Sequence, residues 1–112
     1  MSVPWAITPE KVREAVQQVI SVARPRRVIL FGSAVRGETN IHSDLDILVV
    51  TKAEIDSPRR ESVRIRRALR GIMMPMDILV VSEKRLKELA DQPGLIYREA
   101  LRRGKVVYDT NE

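Results

Sequence analysis

Asp44, Asp46 and Asp77 are the side chains of this sequence best spaced for chemistry. Asp44-Leu45-Asp46 heads the apolar run 47–50, and Asp77 heads the same run again at 78–81, so the pentapeptide DILVV occurs twice in 112 residues. In a strand, alternate side chains share a face, which sends Asp44 and Asp46 one way and Leu45, Ile47 and Val49 the other. If the two runs are neighbouring strands, Asp77 arrives at the depth of Asp46. Three uncompensated carboxylates repel by ~4 kcal/mol per pair at ~4 Å and an effective dielectric of ~20. A divalent cation relieves that repulsion. All-oxygen ligation suits Mg²⁺ or Mn²⁺, and Mg²⁺ held by a few carboxylates completes its shell with water and substrate phosphates. The cluster therefore points to a nucleotide. The plainer reading is that an aspartate before a β-branched run marks where a strand leaves solvent.

Phosphates need a cradle, and Phe31-Gly32-Ser33 offers one at the end of an earlier apolar run. Gly32 permits a tight turn and close backbone approach, Ser33 offers a hydroxyl donor, and Arg36 can reach the same anion. Ser33 also reads as a simple helix cap, so Gly-Ser is informative chiefly because it stands ten residues ahead of Asp44. The single histidine, His42, lies in the loop before the carboxylates and reads as a loop residue before it reads as a ligand.

The elements that must position these groups follow from periodicity and punctuation. Thr8 caps and Pro9 opens an amphipathic helix through Val12, Ala15, Val16, Val19 and Ile20, ending near Arg24 and Pro25. Residues 26–31 form a buried strand between Pro25 and Gly32, and 45–50 the next, with 34–36 at most a short helix. Ser57 and Pro58 start a second helix whose moderately apolar stripe is Val63, Ile65, Ala68, Leu69 and Ile72, down to Gly71. It also carries Arg59, Arg60, Arg64, Arg66, Arg67 and Arg70, which read first as a solvated face and second as a phosphate or RNA surface. Residues 76–81 make a third strand. Ser82 caps a helix through Leu86, Leu89 and Ala90; Pro93 and Gly94 break it; Leu95, Ile96, Ala100 and Leu101 form another that stops at Gly104. Residues 105–109 close the chain as a fourth strand. The expected fold is α+β, a small mixed sheet of about four strands flanked by helices, in one domain spanning 1–112.

Composition agrees. A chain of this length with 44% hydrophobic residues is enough for one core. Without cysteine there is neither a disulfide nor a thiolate metal site, and the first residues lack a basic-then-apolar leader, which reads as cytoplasmic. Apolar runs of four or five residues fall far short of the ~20 that cross a bilayer. The net charge of +5, from fifteen arginines and five lysines, favours anionic partners without choosing among them. Trp5, Phe31, Tyr97 and Tyr108 are the only aromatic residues, too few for base-stacking platforms, so direct nucleic-acid binding is not expected.

Gly32-Ser33, ten intervening residues, Asp44-Leu45-Asp46 and a later Asp77 together resemble the GSx10DxD signature of the polymerase-β-like nucleotidyltransferases. More narrowly, the chain resembles the minimal nucleotidyltransferase (MNT) family over nearly its whole length, including the leading helix and the ending YREALRRGKVVYD. The resemblance implies transfer of a nucleoside monophosphate, by default AMP from ATP, with two Mg²⁺ ions. Asp44 and Asp46 would hold the metals, Asp77 would complete the metal site and help deprotonate the acceptor hydroxyl, and Gly32 and Ser33 would bind the outer phosphates. Larger relatives carry a further domain that shapes the acceptor site, so here a partner protein is expected to bring the acceptor. The resemblance further implies a hetero-oligomeric partner, a HEPN-family toxin that is silenced by AMP on a tyrosine, with this chain as antitoxin. Alternatives are a non-catalytic binding antitoxin or regulatory subunit, a transferase acting on a small molecule such as an aminoglycoside, and a basic nucleic-acid-binding module built on the arginine-rich helix.

Overall fold

The computed structural model describes residues 6–32, 35, 44–93 and 95–110. Helix α1 (Pro9–Ala23) starts where expected: the Thr8 hydroxyl accepts a hydrogen bond from the Lys11 amide at 3.2 Å, and Pro9 occupies the first turn, where its missing N–H is harmless. It ends at Arg24, a left-handed residue (φ 46°) whose amide bonds the Ile20 carbonyl at 3.0 Å. Strands β1 (Arg27–Phe31) and β2 (Leu45–Thr51) follow, then α2 (Pro58–Ala68), capped by Ser57, and β3 (Met76–Ser82). Ser82 caps α3 (Glu83–Leu89), and α4 (Ile96–Arg103) leads into β4 (Lys105–Asp109).

The four strands form one mixed sheet in the order β3-β2-β1-β4. β1 runs antiparallel to β2 and to β4, whereas β2 and β3 are parallel, joined by a crossover through α2. The two DILVV segments lie side by side in register, Asp46 on Asp77, Ile47 on Ile78 and so on to Val50 on Val81. Both faces of the central strands are covered, which is why their sequences read as continuous apolar runs rather than as alternation. Val28, Leu30, Leu45, Ile47 and Val49 pack with α1 and α2 residues such as Val19 and Ile65 on one face. Ile29, Phe31, Leu48 and Val50 pack with Leu86 of α3 and Ala100 of α4 on the other. Each fully buried aliphatic side chain contributes about 1.5–3 kcal/mol, so the two layers lock β1 and β2 at the centre.

Two expectations are corrected in detail. The α2 stripe was expected to include Val63 and Ala68, but both are exposed; Ile65, Leu69 and Ile72 are the buried members. The inward position beside them is Ser62, whose hydroxyl donates to the Ile78 carbonyl of β3 at 2.8 Å. In α4 only Ala100 is buried, while Leu95, Ile96 and Leu101 are exposed. The helix does stop at Gly104, in extended conformation (φ −78°), and the position suits glycine because a Cβ there would strike the Ala100 carbonyl and Ile29.

Candidate active site

β2 and β3 place Asp46 and Asp77 as register partners at the same end of the sheet. Leu45, Ile47 and Val49 all enter the core on the α1–α2 face, so the alternation of the strand turns Asp46 to the opposite face, as expected from the sequence. Asp44 stands exposed just ahead of β2, Asp46 is half-buried, and Asp77 is exposed at the start of β3. Across the other edge of β2, Asp46 is the register partner of Phe31, the last residue of β1.

Gly32 comes immediately after that pair, and the chain turns there at φ 96°. A Cβ on Gly32 would overlap Oδ2 of Asp46 and lie 3.2 Å from its Cγ. The glycine thus does two things no other residue can do at this point. It adopts the positive φ that the turn requires, and it lets the backbone pass directly against the carboxylate. Its carbonyl accepts a bond from the Val35 amide at 3.2 Å, which closes the turn. Ser33, Arg36 and His42 lie outside the described residues.

Asp77 has a partner that sequence reading did not single out. Arg66, from α2, donates from Nη2 to Oδ1 of Asp77 at 2.9 Å, with both side chains a little over half exposed (55% and 54%). Sequence alone groups this arginine with the solvated face of its helix and carries no signal that sets it apart from the other arginines there. This ion pair bears on the expected convergence of three carboxylates. The backbone register brings Asp46 and Asp77 together, but among the described residues no three acidic or histidine side chains are grouped to hold a metal ion. Arg66 supplies at Asp77 the positive charge that the sequence reading assigned to a cation.

The donor chemistry still fits a divalent ion. Asp44, Asp46 and Asp77 offer hard carboxylate oxygens, and the missing Cβ of Gly32 lets the main chain approach the Asp46 carboxylate.

A sequence signature described as polymerase beta, nucleotidyltransferase, matches residues 10–112, which includes every element of the sheet and the whole acidic end of β2 and β3. The chain belongs to the polymerase beta nucleotidyltransferase family. Domains of this family typically use divalent metals. The nucleotidyltransferase fold is seen also in a solved structure: a candidate nucleotidyltransferase from Sulfolobus solfataricus, determined at 1.40 Å resolution, superposes with a TM-score of 0.61 at 22% sequence identity. The match covers 90% of this chain and 79% of the archaeal one. No curated protein matches the chain. Among the described residues of this nucleotidyltransferase domain, no helix is long and apolar enough to cross a membrane.

Proposed function

We propose that this nucleotidyltransferase domain transfers AMP from ATP to a hydroxyl of a partner protein, a tyrosine of a HEPN-type toxin, and that it acts in this way as the toxin's antitoxin. The observation that carries the catalytic part is the in-register placement of Asp46 and Asp77 beside the glycine turn at Gly32. The acceptor and the partner rest on the resemblance to minimal nucleotidyltransferases over the glycine-serine and aspartate motifs.

Asp44, Asp46 and Asp77 would hold the divalent cations, which when bound neutralise phosphate charge and stabilise the entering and leaving oxygens. Gly32 and Ser33 bind the outer phosphates, with Arg36 in reach of the same anion. The acceptor oxygen forms its bond to the α-phosphorus as the bond to the β-phosphate oxygen breaks. Pyrophosphate departs with that electron pair, and the hydroxyl proton passes to the Asp77 carboxylate. Asp77 must leave Arg66 to take part, since the guanidinium occupies its Oδ1.

The test is to co-purify the partner from source cells, incubate the pair with ATP and Mg²⁺, and measure its intact mass and modified residue. An adenylyl adduct on a tyrosine is the expected result; an unchanged partner mass contradicts the proposal. A non-catalytic antitoxin that only masks its partner is the competing reading, favoured by the Arg66–Asp77 pair. It predicts that Asp44→Asn, Asp46→Asn protein still neutralises the toxin, whereas catalysis predicts that it does not.

A further inference from the structure

We propose that Arg66 is the resident counter-ion of Asp77, and that a divalent cation enters this site by exchange: the ion takes the carboxylate as the guanidinium releases it. The inference rests on the reading that the three aspartates hold divalent cations.

Three observations carry it. The pair is direct, Nη2 to Oδ1 at 2.9 Å, and it engages the carboxylate that lies in register with Asp46. The helix that delivers Arg66 is fixed to the same strand: Ile65 is fully buried, and Ser62 donates to the carbonyl of Ile78, the residue after Asp77. The guanidinium is therefore presented from a rigid base and not from a loop. Finally, the neighbouring arginines are committed elsewhere. Arg64 pairs with Glu61 and also donates to the Val22 carbonyl at 3.1 Å, while Arg59, Arg60 and Arg67 line a shallow depression on the outer side of α2. Arg66 alone among the arginines of α2 is bonded to a carboxylate of the acidic end.

The chemistry of exchange follows from charge. Without a cation, the guanidinium offsets the charge of Asp77. A divalent ion bound to that carboxylate offsets it instead, and the guanidinium beside it becomes a like charge that opposes binding. Because the pair is more than half exposed, its contribution is modest, and removing the guanidinium should tighten cation binding by about two- to fivefold. Arg66 is thus a positioning residue that sets the affinity of the site and keeps Asp77 oriented while no ion is present.

Mn²⁺ binding to the metal-free protein, without nucleotide, tests this through the electron paramagnetic resonance signal of free Mn²⁺. The proteins compared are wild type, Arg66→Gln, Arg66→Lys, Arg67→Gln, Asp77→Asn and the double variant Arg66→Gln, Asp77→Asn, each checked for fold by circular dichroism. The expected result is tighter binding in Arg66→Gln, wild-type affinity in Arg66→Lys and Arg67→Gln, weaker binding in Asp77→Asn, and no added effect of Arg66→Gln in the Asp77→Asn background. An unchanged or weakened affinity in Arg66→Gln overturns the proposal. So does an equal gain in Arg67→Gln, which would be bulk charge, or a gain that persists without Asp77. If the wild type binds no Mn²⁺ at this site, or Asp77→Asn binds it equally well, the reading of the aspartates as cation ligands fails and the exchange fails with it.

Discussion

Gly32 and Asp46 meet so closely that either one dictates the other. An alanine at 32 has to place its Cβ into the Asp46 carboxylate while holding φ at 96°, so the turn must shift or the carboxylate must move. Gly32→Ala is expected to destabilise the protein by about 1–3 kcal/mol, read from the midpoint of urea unfolding. Adding Asp46→Ala should recover part of that loss by removing the obstructing oxygens. No recovery would mean that the positive φ alone is responsible. At this scale the sequence was informative wherever a residue type and its spacing carried the chemistry: the repeated DILVV did mark two adjacent strands that bring their aspartates level. The Arg66–Asp77 pair was not legible, because the angular position of a helix beside a sheet edge is decided by packing and not by the spacing of eleven positions between the two charges.

Among the elements, α2 shows most clearly what periodicity can and cannot say. Its start was readable from Ser57 and Pro58, and the Ser57 hydroxyl does accept a bond from the Arg60 amide at 3.2 Å. Ile65, Leu69 and Ile72 of its expected stripe are buried, but Val63 and Ala68, which count as apolar in any pattern, are exposed, and Ser62, which does not, turns to β3 and donates to the Ile78 carbonyl. Ile65→Ala should therefore cost about 2–5 kcal/mol of stability, whereas Val63→Ser should change it by no more than about 0.5 kcal/mol. Equal losses at the two positions would show that the face has been assigned wrongly. The sequence placed the other helices and all four strands in their observed order because most are bounded by a cap, a proline or a glycine, and β2 by its continuous apolar run.

At the scale of the whole molecule, one sheet carries two core layers. β1 and β2 contribute to both, with alternate residues of each strand buried on opposite faces, so neither layer can loosen without exposing the other. Each layer also holds a reporter: Tyr108 packs against the α1–α2 side and Tyr97 against the α3–α4 side. Unfolding followed by tyrosine absorbance in Tyr97→Phe and in Tyr108→Phe should coincide with the far-ultraviolet circular dichroism transition of the same variant, as a single cooperative unit requires. Transitions that separate would divide the molecule along its sheet. The cooperative sheet matters for the proposed site, because Asp46 and Asp77 come from different strands and stay level only while β2 and β3 remain paired.

The central claim is that the acidic end of β2 and β3 catalyses nucleotidyl transfer, and its most direct test is the movement of label from α-labelled ATP, with Mg²⁺, to the macromolecules of a source-cell lysate. The predicted result is a labelled protein band that appears with the wild type and is absent with Asp44→Asn, Asp46→Asn protein and with Asp77→Asn protein. Label that moves equally well with those variants, or no label from a wild-type protein that still captures its partner, would contradict it.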